Sequence, residues 1–254
     1  MSLFDLKGRV ALITGGNGGI GLGMARGLAE AGAAIAIAGR NTAKSEAAAA
    51  ELEKLGAKTA VVSGDVTDEA QCRRLVEETV AQLGRLDILV NNAGINIRKP
   101  AQELALAEWK AVLDTNLTSA FVTAQAVYPV MKAAGGGKIV NIGSMLSIFG
   151  AGFAPAYGAS KGGIVQLTKA LASGWAKDNI QVNAVLPGWI DTELTRNARQ
   201  EVKGLNALVL MRTPAGRWGE PGDLSGVAVF LASRASDFIT GAAIPVDGGY
   251  SVQV

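Results

Sequence analysis

Histidine is absent from the 254-residue chain, and cysteine occurs once, at Cys72. Without histidine, a Ser-His-acid triad and a histidine-ligated metal site are both excluded, so acid–base chemistry falls to Tyr, Lys, Asp or Glu. A lone cysteine excludes an internal disulfide, and its place in a charged stretch of helical period reads as packing rather than as a nucleophile. Long apolar runs are missing as well: VALI and AAIAIA stop at Thr or Gly far short of membrane-spanning length. Neither sign of charge dominates, since 24 basic and 22 acidic residues spread along the chain leave no basic stripe for a nucleic acid. The residues ahead of Asp5 lack a signal-peptide pattern, and the expectation is a soluble, cytoplasmic protein.

What the chain has is core material. Apolar residues make up 49% against 18% charged, which argues for a packed fold over disorder. The 33 glycines follow no repeat and sit between apolar runs, as turns do. Short apolar runs alternate with longer segments of helical period, the pattern of βαβ units over a parallel sheet. Strands are expected at 9–14, 34–39, 60–63, 88–91, 138–142, 181–186 and 243–246. Helices are expected at about 19–31, 42–55, 68–83, 106–133, 155–177 and 222–233. These amount to one α/β domain over 1–254: a doubly wound parallel sheet of about seven strands with helices on both faces. The segment at about 192–214, charged and with two leucine-rich turns, reads as a helical lid over a substrate.

The first strand runs into Thr14-Gly15-Gly16-Asn17-Gly18-Gly19-Ile20-Gly21 and then into an amphipathic helix. Glycines at this place let backbone N–H groups approach a pyrophosphate at a helix N-terminus, whose dipole favours anions. A glycine-rich turn without a ligand is the plainer alternative. At the end of the second strand, where NAD enzymes place an acidic residue for the ribose hydroxyls, stand Gly39 and Arg40. A guanidinium suits a 2′-phosphate, so NADP(H) is favoured over NAD(H), the alternative for Arg40 being adenine stacking or solvation. Asp65 and Val66 after the third strand, and Asn92, Ala93 and Gly94 after the fourth, end strands on the same sheet edge and are expected to line the cofactor crevice. Asp65 suits the adenine amino group. Asn91 and Asn92 are equally suited to bridging neighbouring strands through their amides, and for Asn91 that structural role is favoured.

Tyr157 and Lys161 are four residues apart on an expected helix, hence on one face. A phenol titrates near 10, too high for a base at neutral pH, but an adjacent ammonium and a positive nicotinamide ring would lower it. Ser144, after the strand at 138–142, is placed to hydrogen-bond a reacting carbonyl or alcohol oxygen. Asn116 is an amide inside an apolar helix, where it needs a partner.

The glycine turn, Asn91 to Gly94, Asn116, Ser144, Tyr157 with Lys161, and Pro187-Gly188 together resemble the short-chain dehydrogenase/reductase family in order and spacing, over nearly the whole chain. The resemblance implies a Rossmann-type fold and a catalytic set of Asn116, Ser144, Tyr157 and Lys161. In that set Tyr is the acid/base, Ser positions the substrate oxygen, Lys binds the nicotinamide ribose and lowers the Tyr pKa, and Asn holds a relay water. It also implies cofactor contacts at Gly15, Asn17, Gly19, Ile20 and Gly21, nicotinamide contacts at Pro187, Gly188, Ile190 and Thr192, and a homotetramer built on the helices at 106–133 and 155–177 and on the C-terminal end. Within the family, Ser144 to Ser147, Ile97-Arg98 and Pro214 to Gly219 are similar to bacterial sugar-acid dehydrogenases of the gluconate type. Arg98 and Arg196 are candidates for a substrate carboxylate, with solvated surface roles as the alternative. A general ketone or 3-ketoacyl reductase is the competing enzyme reading, and a nucleotide-binding regulatory protein the competing non-enzyme one.

Overall fold

The computed structural model describes residues 3–252. Runs of Val, Ile, Leu and Ala too short for helices become strands buried on both faces, as a parallel sheet requires. They are β1 (Val10–Thr14), β2 (Ala34–Gly39), β3 (Thr59–Ser63), β4 (Ile88–Asn91), β5 (Gly137–Ile142), β6 (Ile180–Pro187) and β7 (Ala243–Val246). All pair in parallel, in the order β3-β2-β1-β4-β5-β6-β7. The order reverses between β1 and β4, and the crevice of an open α/β sheet lies at that switch point, beyond the strand C-termini.

Alternate side chains along each strand feed the two faces. Ala11 and Ile13 of β1 join a core completed by α1 (Gly19–Glu30), α2 (Thr42–Lys54) and α9 (Ser225–Ala232). Leu12 between them joins the opposite core, with α3 (Glu69–Leu83), α5 (Ser119–Ala133) and α6 (Pro155–Trp175). Local chemistry sets the helix ends. The side chains of Asn41 and Asp68 cap α2 and α3 by accepting from Lys44 N and Gln71 N at 3.0 Å, and α3 stops at Gly84, whose φ of +86° favours glycine.

Two helical segments differ from expectation. The one at 106–133 is interrupted: α4 (Leu106–Leu113) passes through a π-turn at Asp114–Thr118 before α5, and the Ser119 N–H reaches back five residues to the Asp114 carbonyl. Periodicity alone shows no break because both flanks keep helical dihedrals. The one at 222–233 begins as a 3₁₀ turn, Pro221–Leu224, set by the fixed φ of Pro221. The segment at 192–214 is helical, as α7 (Glu193–Glu201) and α8 (Leu205–Arg212), separated by Gly204 at φ +79°. Among the described residues no helix is long and apolar enough to cross a membrane.

Candidate active site

At the carboxyl end of β1 the chain turns through Gly15 (φ +63°) and Gly19 (φ +51°) into α1. A Cβ on Gly21 would lie 2.5 Å from the Gly15 carbonyl oxygen and 2.5 Å from Asn92 Nδ2, so only glycine fits there. Asn92 binds this turn: Nδ2 donates to the Thr14 and Gly15 carbonyls at 3.0 Å, while the Thr14 hydroxyl accepts from the N–H of Asn92 at 3.0 Å and of Ala93 at 3.1 Å. Asn17 faces the end of β2, donating to Ser45 Oγ at 3.0 Å. Gly18 caps α1 with no side-chain bond to the first turn, and no acidic residue stands in that turn, where Ile20 and Gly21 sit. An open, positive helix end beside glycines that admit close approach fits a pyrophosphate.

The corner expected to set cofactor specificity lies at the ends of β2 and β3. Arg40 is mostly exposed and reaches Asp65 Oδ2 at 3.5 Å. The other oxygen of Asp65 accepts from the Thr67 N–H at 3.0 Å and hydroxyl at 2.8 Å; these bonds, with Arg40, hold the carboxyl below its usual range against the opposing effect of burial. The Val66 carbonyl accepts from the Cys72 thiol at 3.2 Å, and burial pushes that thiol up, away from the reactive thiolate.

The polar cluster stands where β4 and β5 end and α6 begins. Tyr157 lies in the first turns of α6, with Lys161 one turn on, its Nζ 5.6 Å from the Tyr157 ring centre. Lys161 is 4% exposed and donates to the Ile142 carbonyl at 2.6 Å. Ser144 stands two residues beyond β5; its hydroxyl is near enough to the Tyr157 phenol to oppose the effect of burial on it, and accepts from Leu146 N at 3.1 Å. Ser147 fixes both partners, accepting from Ser144 N at 3.1 Å and donating to the Lys161 carbonyl at 2.7 Å. The π-turn places Asn116 in the same cluster. Its Oδ1 accepts from Ile95 N at 2.8 Å and its Nδ2 donates to the Ile95 carbonyl at 2.9 Å and Ser160 Oγ at 3.1 Å. Gly94 lies against both, a Cβ there falling 3.3 Å from Asn116 Oδ1 and 3.7 Å from Lys161 Nζ. Asn91 bridges β4 to β5 and α5, donating to Asn141 Oδ1 at 2.9 Å and the Ala120 carbonyl at 3.3 Å.

The expected lowering of the Tyr157 pKa does not come from the chain's own groups. Burial pushes the phenol up, opposed by the Ser144 hydroxyl and the positive Arg98, and burial alone pushes Lys161 down to about 8. A charge in a low-dielectric pocket is costly until an opposing or delocalised charge joins it.

After β6 the chain passes over the crevice. Gly188 donates to the Val246 carbonyl at 2.9 Å, and buried Ile190 bridges to Gly219. Thr192 comes down onto the glycine turn, with Cγ2 3.3 Å from where a Gly19 Cβ would be. Thus Pro187, Gly188, Ile190 and Thr192 run from the end of β6 to α1. Arg98, after β4, reaches α7: Nη1 pairs with Glu201 Oε2 at 2.8 Å and Nη2 donates to the Leu194 carbonyl at 3.1 Å. Arg196 pairs with Asp191 at 3.1 Å.

Three supporting residues escape a reading of motifs. Thr14 and Ser147 hold the backbone of the residues that the motifs single out and Ser160 holds the Asn116 side chain, yet Ser and Thr are common enough to pass unnoticed. Spacing is the signal that would have found Ser147: three residues after Ser144 it closes a capping box around the 3₁₀ turn Met145–Ser147.

A family model described as enoyl-(acyl carrier protein) reductase matches residues 15–251. The chain is 43% identical over 250 residues to the 2-dehydro-3-deoxy-D-gluconate 5-dehydrogenase of Formosa agariphila, covering 98% of this chain and 95% of that protein. It is 41% identical over 253 residues to the gluconate 5-dehydrogenase of Gluconobacter oxydans, covering 99% and 98%. Among solved structures, the gluconate 5-dehydrogenase of Burkholderia cenocepacia in complex with NADP and tartrate superposes with a TM-score of 0.94 at 45% identity, covering 99% of this chain and 98% of that one. The chain belongs to the short-chain dehydrogenase/reductase family and is an oxidoreductase of that class.

Proposed function

We propose that this enzyme transfers a hydride between NADP(H) and a secondary alcohol or ketone of a gluconate-type sugar acid. One juxtaposition carries the reading: the Tyr157 phenol beside the Ser144 hydroxyl, one turn from buried Lys161, with the Arg98 guanidinium near enough for its charge to act on the phenol. Bound nicotinamide would supply the hydride acceptor or donor and, when oxidised, a positive ring that lowers the phenol.

In the oxidative direction the Tyr157 phenolate would take the proton from the hydroxyl oxygen while the carbon bearing that oxygen gives up its hydride, for which bound oxidised nicotinamide would be the acceptor, leaving the ketone; in reduction Tyr157 would return the proton. Ser144 hydrogen-bonds the reacting oxygen, held at the right height by Ser147 and Leu146 N. Asn116 positions the loop from Ala93 to Ile95 and holds the relay water of the family mechanism. Arg98 receives the substrate carboxylate as a planar fork. The glycine turn from Gly15 to Gly21 with Asn17, the ends of β3 and β4 at Asp65, Val66, Asn92, Ala93 and Gly94, and the run from Pro187 to Thr192 hold the dinucleotide. Arg40, with no carboxylate at Gly39 to repel it, holds the 2′-phosphate. The chain works as one catalytic domain whose α7–α8 segment is the substrate lid, in a cytoplasmic homotetramer that covers exposed Leu106 and Phe121 on the α4–α5 face.

The test is a panel of gluconate, 5-ketogluconate, a cyclic ketone and a 3-ketoester, each assayed with NADP(H) and NAD(H). Sugar acids should exceed neutral compounds in kcat/KM, and the NADPH preference should fall about tenfold in Arg40→Ala, the loss of one charge-assisted phosphate contact. A neutral ketone or ketoester as the best substrate would replace this reading with the general reductase. Equal efficiency with both cofactors would remove the assignment of Arg40.

A further inference from the structure

Among the nine residues of α7 only Ala198 is buried, so little apolar packing fixes this helix. Charged contacts do so instead: Lys44 Nζ to Glu193 Oε2 at 3.1 Å beside the glycine turn, Arg196 and Arg199 to Asp191 with Arg199 over the Trp218 ring, and, for the last turn, Arg98 to Glu201 beside the catalytic cluster. Glu193 stands in the first turn, where the helix dipole welcomes a carboxylate. Glu201 stands in the last, where the dipole opposes one, so Arg98 is what holds it. The two differ in exposure: the Arg98 side chain is 13% exposed and Glu201 54%, a fixed cation facing a carboxylate that water already solvates.

We propose that Glu201 is an internal stand-in for the substrate carboxylate, occupying Arg98 and latching α7 shut until an anionic substrate takes its place. This rests on the reading of Arg98 as the carboxylate receptor. Both hydrogen bonds of the Arg98 fork go to α7, one to Glu201 and one to the Leu194 carbonyl. A carboxylate that binds the fork bidentately needs both nitrogens, so it frees both contacts at once and releases the helix about Gly204, whose φ of +79° marks the joint before α8. A neutral alcohol or ketone makes no such exchange and leaves Arg98 on Glu201. Glu201 is thus a positioning residue that acts through Arg98, competing with an anionic substrate for the fork and leaving a neutral one unaffected.

The experiment uses the full-length enzyme saturated with NADP+, with gluconate as the anionic substrate and a cyclic secondary alcohol as the neutral one. In Glu201→Gln the KM for gluconate should fall by about three- to tenfold relative to that for the neutral alcohol, because the internal competitor for the fork is gone. Glu201→Asp should restore most of the parent ratio. Deuterium exchange of the amides in 194–201 should quicken when gluconate is added to the parent, and should already be quick in Glu201→Gln without it. If Glu201→Gln leaves the KM ratio unchanged, or gluconate slows exchange in α7, the latch is overturned. A rise of tenfold or more in the gluconate KM of Arg98→Gln, beside that failure, keeps the carboxylate receptor and removes only the latch; an unchanged gluconate KM in Arg98→Gln removes both.

Discussion

Around Lys161, every polar group is bound to one that is itself fixed. Its ammonium goes to the Ile142 carbonyl of β5, its carbonyl to Ser147, and Ser147 in turn to Ser144 N. Around α7, on the same edge of the sheet, charges meet charges directly at the exposed surface: Arg196 and Asp191, with side chains 65% and 33% exposed, or Lys44 and Glu193 at 47% and 82%. Proton transfer needs a geometry held to fractions of an ångström, and buried short-range bonds supply it. A segment that must admit a ligand needs contacts that exchange cheaply, and exposed ion pairs supply those. The contrast assigns stability to the first region and responsiveness to the second.

Three substitutions sharpen or break the contrast. The largest effect is expected from Tyr157→Phe, which removes one hydroxyl and should lower kcat by about 10²–10⁴-fold while NADPH binding, read by fluorescence titration, survives. Near-normal turnover would separate the rigid cluster from the chemistry. Next is Lys161→Met in the ligand-free protein. With Lys161 at about 8 in the folded state and an ordinary value of 10.5, the unfolded chain binds the extra proton between those limits. Stability therefore rises with pH from about 8 to 10.5, and below 8 the cost of burying the ammonium is fully present. Met should stabilise the protein at pH 7 by on the order of 1 kcal/mol after the loss of the Ile142 bond, and the gain should shrink toward pH 10 in urea titrations. A destabilised variant at pH 7 would mean that the Ile142 bond outweighs desolvation. Smallest is Arg196→Ala, where an exposed pair is lost and Asp191 keeps Arg199 at 3.2 Å. Unfolding should shift by less than about 0.5 kcal/mol, and a shift above about 1 kcal/mol would show that α7 is anchored like the cluster.

Most of the frame was legible in the sequence because its signals are local. All seven strands fall within one or two residues of expectation, and the glycine turn is a strand-to-helix junction where a side chain cannot fit. Tyr157 and Lys161 declare themselves by spacing, and the absence of histidine leaves few other bases. What stayed hidden is long-range or electrostatic. Arg98 and Glu201 are 103 positions apart, and nothing in either neighbourhood announces the other. The depressed Lys161 and raised Tyr157 depend on burial, which spacing does not measure. The amide of Asn92, for which bridging neighbouring strands was one reading, binds the glycine turn itself, because an amide among free carbonyls is satisfied nearest to home.

The π-turn has a consequence for how the long helix is wound. Its buried stripe runs Val112, Asn116, Ala120, Thr123, Val127, Met131, five steps over 19 residues. Five ordinary α-turns take about 18 residues, so the stripe carries one residue more than a regular helix would keep in line. The wide turn at Asp114–Thr118 absorbs the surplus, which lets the far end of the rod pack on α3 while the near end packs on α6. Asn116 sits at the splice. Removing a single residue from this turn would restore textile regularity to the helix and rotate one half by about 100° against the other, pulling the amide off Ile95 and Ser160 together.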